Sequence, residues 1–365
     1  MLVNVLDPHY QTLLFITYLV GIILLSAEKD QNPHEMNTSH TLELKGIAIL
    51  MVVFSHIGYF LFADHRFLFP MSVGGGIGVN IFLLLSGFGL TSSEMKYKKP
   101  VLSFYAKRLK GIFVPMWLAL LAILCLDVFI LGKSYSSMGL FQNFFGFFPY
   151  ADIYGAFDSP LWYFSLILFY YLIFPLVYRN SNPIISAVLV LLLGFVVTHL
   201  KLPVASDVLK LYQLHYIAFP LGMVFALLNR GKPVVALKEY LVIKFARPRI
   251  VSSINWALVI LASIIVGYTA IHSGVGDKLI IEQSTSIITV VALVVIMLFK
   301  DIQSRFLILL GKYSYEIYLL HWPIMYRYDF IYKYFPAFLG TLLYIFIFIA
   351  FGFIFNRITR LLVKS

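Results

Sequence analysis

The run Lys45-Gly-Ile-Ala-Ile-Leu-Met-Val-Val-Phe-Ser-His56-Ile-Gly-Tyr-Phe-Leu-Phe62 decides the fold. It is apolar over the length of a helix, opens on a cation and carries one imidazole, His56, within it. A polar ring in hydrocarbon costs free energy unless a partner satisfies it, so an ionisable side chain at membrane depth is a functional candidate by default. At ~1.5 Å of rise per residue, the steps from Lys45 carry His56 roughly 16 Å along a helix, near the middle of a ~30 Å hydrocarbon layer. Lys45 then sits at one membrane face and His56 at depth.

Composition agrees with this setting. The chain is 61% hydrophobic, 17% aromatic and only 12% charged, a balance that a soluble domain of this length does not tolerate. Apolar runs recur at 10–27, 46–63, 75–91, 109–131, 161–178, 183–200, 211–228, 254–272, 284–299, 306–326 and 336–356. The expected fold is an all-α integral membrane protein, a polytopic bundle of about eleven transmembrane helices.

Charge asymmetry sets the expected orientation. With the loop after the first span in the cytoplasm, the inner loops hold 20 of the 28 basic residues and the outer loops seven, Lys312 falling within a span. The positive-inside rule then puts the C-terminus in the cytoplasm and the N-terminus outside. The net charge of +11 reads as this topology bias, and the chain carries no nucleic-acid-binding motif. The first run lacks a basic leader and a small-x-small cleavage pattern, so it reads as a retained span. Cys125 is the single cysteine, which excludes an intrachain disulfide and reads as packing within a span.

Two connections are long. The outer one, 132–160, is rich in Phe, Tyr, Gly and Ser and ends in Asp158-Ser159-Pro160-Leu161-Trp162, as a re-entrant or substrate-facing segment would. The inner one, 229–253, carries Arg230, Lys232, Lys238, Lys244, Arg247 and Arg249 against Glu239, and reads as a solvated basic loop that meets anionic lipid.

Five patterns follow in order: Lys45-x10-His56; Gly78-Val-Asn-Ile-Phe-Leu-Leu-Leu-Ser-Gly-Phe88; Lys107-Arg-Leu-Lys110-Gly-Ile-Phe-Val-Pro115; Leu161-Trp-Tyr-Phe-Ser-Leu-Ile-Leu-Phe-Tyr-Tyr-Leu-Ile-Phe-Pro175; and Leu310-Gly-Lys-Tyr-Ser-Tyr-Glu-Ile-Tyr-Leu-Leu-His-Trp-Pro323. Over roughly residues 42–356 this series resembles acyltransferase family 3, membrane proteins that mostly O-acetylate surface or secreted glycans with acyl-CoA from the cytoplasm. The resemblance implies a ten-span acyltransferase domain, 42–365, behind an added N-terminal helix and loop, 1–41. It also implies a bacterial inner-membrane location. The chain departs from the family in having Lys45 where many relatives have Arg, which keeps the charge but not the bidentate fork. It has Gly111 where an Arg is common, and Ile167 or Leu168 where relatives carry an acid.

Moving an acyl group from a thioester to a sugar hydroxyl needs a base for the hydroxyl proton, donors for the oxyanion and a pocket that excludes water. His56 is the expected base, since imidazole can take a proton near physiological pH. An acyl-enzyme route through His56, Ser55 or Ser86 would need more parts. Glu316, read as the one acid deep within a span, lies about 15 Å along from Phe306, level with His56, and is the candidate orienting partner. Its competing partner is Lys312, four residues back on the same helix face.

His321 matches the family's closing histidine and either contacts the acceptor or holds its helix to neighbours. Tyr315, Tyr318 and Trp322 read as packing or interfacial anchors. His199, His215 and His272 fall near outer helix ends, where hydration accounts for them. Lys45, Lys107, Arg108 and Lys110 gather on the inner side, either to hold the phosphates of coenzyme A or as ordinary flanking cations. Asp158, Trp162 and Ser86 are the candidate acceptor-binding residues. Gly74-Gly75-Gly76 with Gly78 lacks a phosphate-loop ending and reads as a tight turn or close helix approach.

The expected co-substrate is acetyl-CoA or another acyl-CoA, with no metal; the expected partners are acyl-CoA, a glycan acceptor and membrane lipid, with no nucleic acid. The competing class is a polytopic transporter or flippase of a glycan or small solute, against which stands the lack of paired Gly/Pro-interrupted spans in matching halves. The separate membrane-bound family of lipid-directed O-acyltransferases fits the order of patterns less well.

Overall fold

The computed structural model describes residues 2–30, 34–97, 100–155, 157, 160–232, 235–236, 240, 248–274 and 277–364. The chain forms two compact units, Met1–Met95 with Ile217–Lys312 and Lys96–Tyr216 with Tyr313–Ser365. The protein is an all-α integral membrane protein. Hydrocarbon offers the backbone no hydrogen-bond partner, so each apolar run closes its own ladder as a helix.

All eleven apolar runs are mainly helical, and eight stretches among the described residues have the length and apolarity to cross a membrane, one of them, Ser206–Arg230, interrupted at Tyr216–Ile217. Of the other three, Trp162–Val177 and Pro183–His199 have 16 and 17 residues, roughly 24–26 Å at ~1.5 Å each. The run 306–326 is not one helix. It divides at Tyr313 (φ −109°, ψ 12°) into Arg305–Lys312 and Ser314–Arg327. The two parts meet different demands. Gly311 lies against backbone, where a Cβ would stand 1.8 Å from the Leu42 carbonyl oxygen, while the Tyr313 ring lies over Gly352.

In the first unit, α1 (Pro8–Leu25) leads to the short strand β1 (Ala27–Lys29), which pairs antiparallel with β2 (Ile302–Ser304). Helix α2 (Thr38–Ser55) begins earlier than its apolar run because the Asn37 side chain caps it, accepting from the His40 amide at 3.0 Å. It continues as a π-helical segment, His56–Leu61, and the Phe62 amide donates to the Ile57 carbonyl across five residues.

Helix α3 (Gly75–Lys96) approaches α2 closely at Gly78, where a Cβ would stand 2.5 Å from the Ala48 oxygen, as the glycine cluster led one to expect. Later in chain order come α4 (Val101–Leu131), α5 (Ser137–Phe144), α6 (Trp162–Val177), α7 (Pro183–His199) and α8 (Ser206–His215), all of the second unit. The first unit resumes with α9 (Ala218–Arg230), α10 (Pro248–Ala270), α11 (Leu279–Phe299) and α12 (Arg305–Lys312). Gly87 of α3 and Gly222 of α9 touch each other's helix backbones, and Gly46 and Gly311 do the same for α2 and α12. Around these contacts Leu44, Ala48, Ile77, Ile81, Leu84, Leu85, Ala226, Val290 and Leu293 form one apolar core. Buried polar groups pair within it: Asn80 donates to Ser286 at 2.7 Å and Thr269 meets Thr289 at 2.7 Å.

The second unit is completed by α13 (Ser314–Arg327) and α14 (Ala337–Lys364). Here α13 fastens the long 132–160 connection by its backbone. Tyr318 donates to the Pro160 carbonyl at 3.1 Å, Trp322 to Ile153 at 2.5 Å and Arg327 to Phe157 at 2.7 Å. The reading of Tyr318 and Trp322 as anchors holds, and Tyr315 likewise donates to the Ile112 carbonyl at 2.6 Å.

Candidate active site

His56 stands at the junction of α2 and the π segment and is half-buried. Its Nδ1 lies 2.8 Å from the Val52 carbonyl oxygen. A carbonyl can only accept, so Nδ1 carries the proton and Nε2 is the basic nitrogen of the neutral ring. π turns inside α-helices are rare and recur at functional sites. The loop after the segment lies directly on it: a Cβ on Gly58 would stand 2.6 Å from the Phe67 oxygen and 2.7 Å from Ser72. From His56 the aromatic rings run through Phe60 (5.9 Å between centroids) and Tyr59 (5.0 Å) to His65 (5.1 Å).

The other sequence-derived residues of the first unit are Lys45 and Ser86. Lys45 is half-buried and lies two turns into α2, whose start at Thr38 is set by the Asn37 cap. Ser86 is half-buried in the middle of α3 and makes no side-chain hydrogen bond to His56.

In the second unit, Lys107, Arg108 and Lys110 occupy the early turns of α4, Lys107 and Lys110 exposed and Arg108 half-buried. Glu316 is buried in the first turn of α13, where Asn356 of α14 donates to it at 2.5 Å. His321 is fully buried, its Nδ1 donating to the Tyr318 carbonyl at 2.9 Å and reaching Ile317 at 3.1 Å, both within α13 itself. Trp162 begins α6 and stacks on His215, 5.6 Å between centroids and 18° between planes. His215 is therefore not a hydrated histidine; the indole covers it and it is 1% exposed. His199 and His272 are exposed as expected. Asp158 lies outside the described residues, as do Lys98, Lys99, Lys238, Lys244 and Arg247 of the basic loops.

The structure adds buried acids that pattern reading passed over. Glu316 is not the only acid at depth: Glu43, on α2, accepts from Lys300 at 2.7 Å and from the Ser304 amide at 2.7 Å. Asp127, in the last turns of α4, is fully buried and takes hydrogen bonds from Arg327, Tyr135 and Tyr328. The only local signal for either was an acid inside or beside an apolar run. Their partners lie as far as 261 positions away in sequence. Cys125 is exposed on α4 and not a packing residue of the unit's interior.

The helical membrane fold and the π turn at His56 leave the class of the protein to comparison with known families. The family model described as an acyltransferase domain, that of acyltransferase family 3, matches residues 43–357. The chain belongs to that family and is a membrane acyltransferase. No curated protein and no solved structure matches it.

Proposed function

We propose that this acyltransferase moves an acyl group, acetyl in the first instance, from cytoplasmic acyl-CoA to a hydroxyl of a cell-surface or lipid-linked glycan, with His56 as general base. The observation that carries this reading is the Nδ1 hydrogen bond to Val52, which supports Nε2 as the proton acceptor. The sugar oxygen attacks the thioester carbonyl as Nε2 takes its proton. The tetrahedral adduct then expels the coenzyme A thiolate by breaking the C–S bond, and the imidazolium returns the proton to that sulfur. Acyl ester, free coenzyme A and neutral His56 result, with every proton accounted for.

In this scheme Lys45, Lys107, Arg108 and Lys110 hold the coenzyme A phosphates on the inner side. Glu316 is the candidate partner of the base, and Trp162, Asp158, Ser86 and His321 are the further candidates for the acceptor side. The charge distribution supports an N-terminus outside and a C-terminus in the cytoplasm, and the family resemblance supports a bacterial inner membrane.

The test is acyl transfer from radiolabelled acetyl-CoA to envelope glycan by wild-type and His56→Ala membranes. Loss in the variant with normal protein level is the expected result. Transfer at the wild-type rate would remove His56 from the chemistry.

A further inference from the structure

Outside the ring of His56 itself, the first unit holds an open bowl of about 740 Å³ lined by Asn4, Val5, Ala63, Asp64, His65, Arg66 and Phe69. One wall comes from residues 4 and 5, which precede the family-matched region, and the other from the loop that follows the His56 segment. Backbone pairing fixes the two walls together. The Val3 amide donates to the Leu61 carbonyl at 2.9 Å, and the Ala63 amide to the Val3 carbonyl at 3.0 Å.

The lining has the chemistry of a polyol site. Asp64 is a carboxylate held by Arg66, which donates from its backbone amide at 3.0 Å and from Nε at 2.9 Å. These bonds hold the Asp64 carboxyl down at about 2, so it stays an acceptor at any physiological pH. Neither Asn4 nor His65 spends its side-chain hydrogen-bonding atoms on another described residue, and Arg66 Nη1 is likewise unspent. Phe69 is 51% exposed and offers an apolar ring face beside these polar groups. A pyranose needs such a mixture: donors and acceptors for its hydroxyls and a flat apolar surface for its C–H face. The rings of Phe60, Tyr59 and His65 link the bowl to His56 within the same unit.

We infer that the bowl between residues 4–5 and 63–69 binds a sugar ring of the glycan acceptor, and that the N-terminal segment outside the family-matched region thereby helps select the acceptor. The inference rests on the proposed glycan-acylating function, but its first readout is binding and needs no turnover.

The experiment places a cysteine on the rim, Asn4→Cys in a Cys125→Ser background, and follows its labelling by a maleimide in detergent. The probes are cellotetraose, maltotetraose, chitotetraose and tetragalacturonate. A sugar present at about twice its Kd occupies two-thirds of the sites and slows labelling about threefold. At least one of the four is expected to do so, and to do so equally in a protein that also carries His56→Ala. Labelling rates unmoved by all four sugars would overturn the inference.

A second arm measures transfer. Asn4→Ala and Phe69→Ala are expected to raise KM for the glycan acceptor about tenfold, the loss of one good hydrogen bond or stacking face, with KM for acyl-CoA unmoved. A parallel rise in both constants would assign these residues to general structure and defeat the inference. Sugar protection without any acyl transfer by the wild-type protein would instead defeat the proposed function and leave the binding site standing.

Discussion

Asp127 and Arg327, 200 positions apart in the chain, form an ion pair in which the carboxylate side chain is fully buried and the guanidinium 3% exposed. Tyr135 and Tyr328 complete the carboxylate's hydrogen bonding, and Arg327 also reaches the Phe157 carbonyl. The pair fastens the end of α4 to the end of α13 and to the 132–160 connection. Removing one partner of such a pair leaves a buried uncompensated charge, at a cost of about 3–5 kcal/mol. Asp127→Ala is expected to lower the thermal midpoint in detergent accordingly, and Asp127→Leu with Arg327→Met to recover much of the loss. A single variant as stable as wild type would show the pair to be energetically idle.

His56 is expected to supply the usual worth of a general base, about 10²–10⁴ in rate. His56→Gln should therefore lose that much acyl transfer in a coupled assay for free coenzyme A. Glutamine keeps a donor for the Val52 carbonyl, so the α2 junction should keep its thermal stability. Activity within a factor of a few of wild type would assign the base elsewhere.

If Glu316 orients His56, the two act as one unit and their losses do not add. The rate deficit of His56→Ala with Glu316→Gln is expected to be close to that of His56→Ala alone, a coupling energy of about 0.5–3 kcal/mol. Strictly additive deficits would separate them. Because Asn356 donates to Glu316, Asn356→Leu should reproduce part of the Glu316→Gln effect.

The cations on α4 invite a kinetic discrimination. Lys107→Gln and Lys110→Gln are expected to raise KM for acyl-CoA, with kcat little changed and the KM penalty shrinking at high salt, as screened phosphate contacts require. A fall in membrane insertion with unaltered KM would mean that they serve topology alone.

Gly46 and Gly311 bring two helix backbones into contact, and a Cβ at either would overlap a facing carbonyl, at 2.1 Å from Leu307 and 1.8 Å from Leu42. Gly311→Val is expected to cost at least the ~1–3 kcal/mol typical of overpacking, seen as a lower thermal midpoint. Gly89 faces open space, so Gly89→Val is the control expected to stay near wild type.

Much of the helical layout was readable because hydrocarbon makes apolar length and helicity nearly the same property. The 75–91 run lies inside a helix, 254–272 overruns its helix by two residues, and the glycine-based approach of α3 to α2 was expected from Gly78. Composition did not locate the division at Tyr313, since the contacts it answers, Gly311 on Leu42 and Tyr313 on Gly352, are set by chain far from the run. It was blind also to the π turn, which differs from an α turn by one hydrogen-bond step. His215 was misjudged and Asp127 passed over for one reason: an ionisable group near a helix end is hydrated only if nothing covers it. Arg327 and Trp162 are brought over them from far along the chain or across the unit.

The π segment at 56–61 has a consequence for the length of the gene itself. It holds one residue more than α geometry would place in the same turn, and each residue turns a helix by about 100°. Deleting a single codon between Ile57 and Leu61 would remove that surplus and leave a regular helix able to span the layer. The Phe62 amide would lose its five-residue reach, and the loop docked on Gly58 would start one residue early. Drift in this stretch is thus held to a fixed number of residues as well as to glycine at position 58.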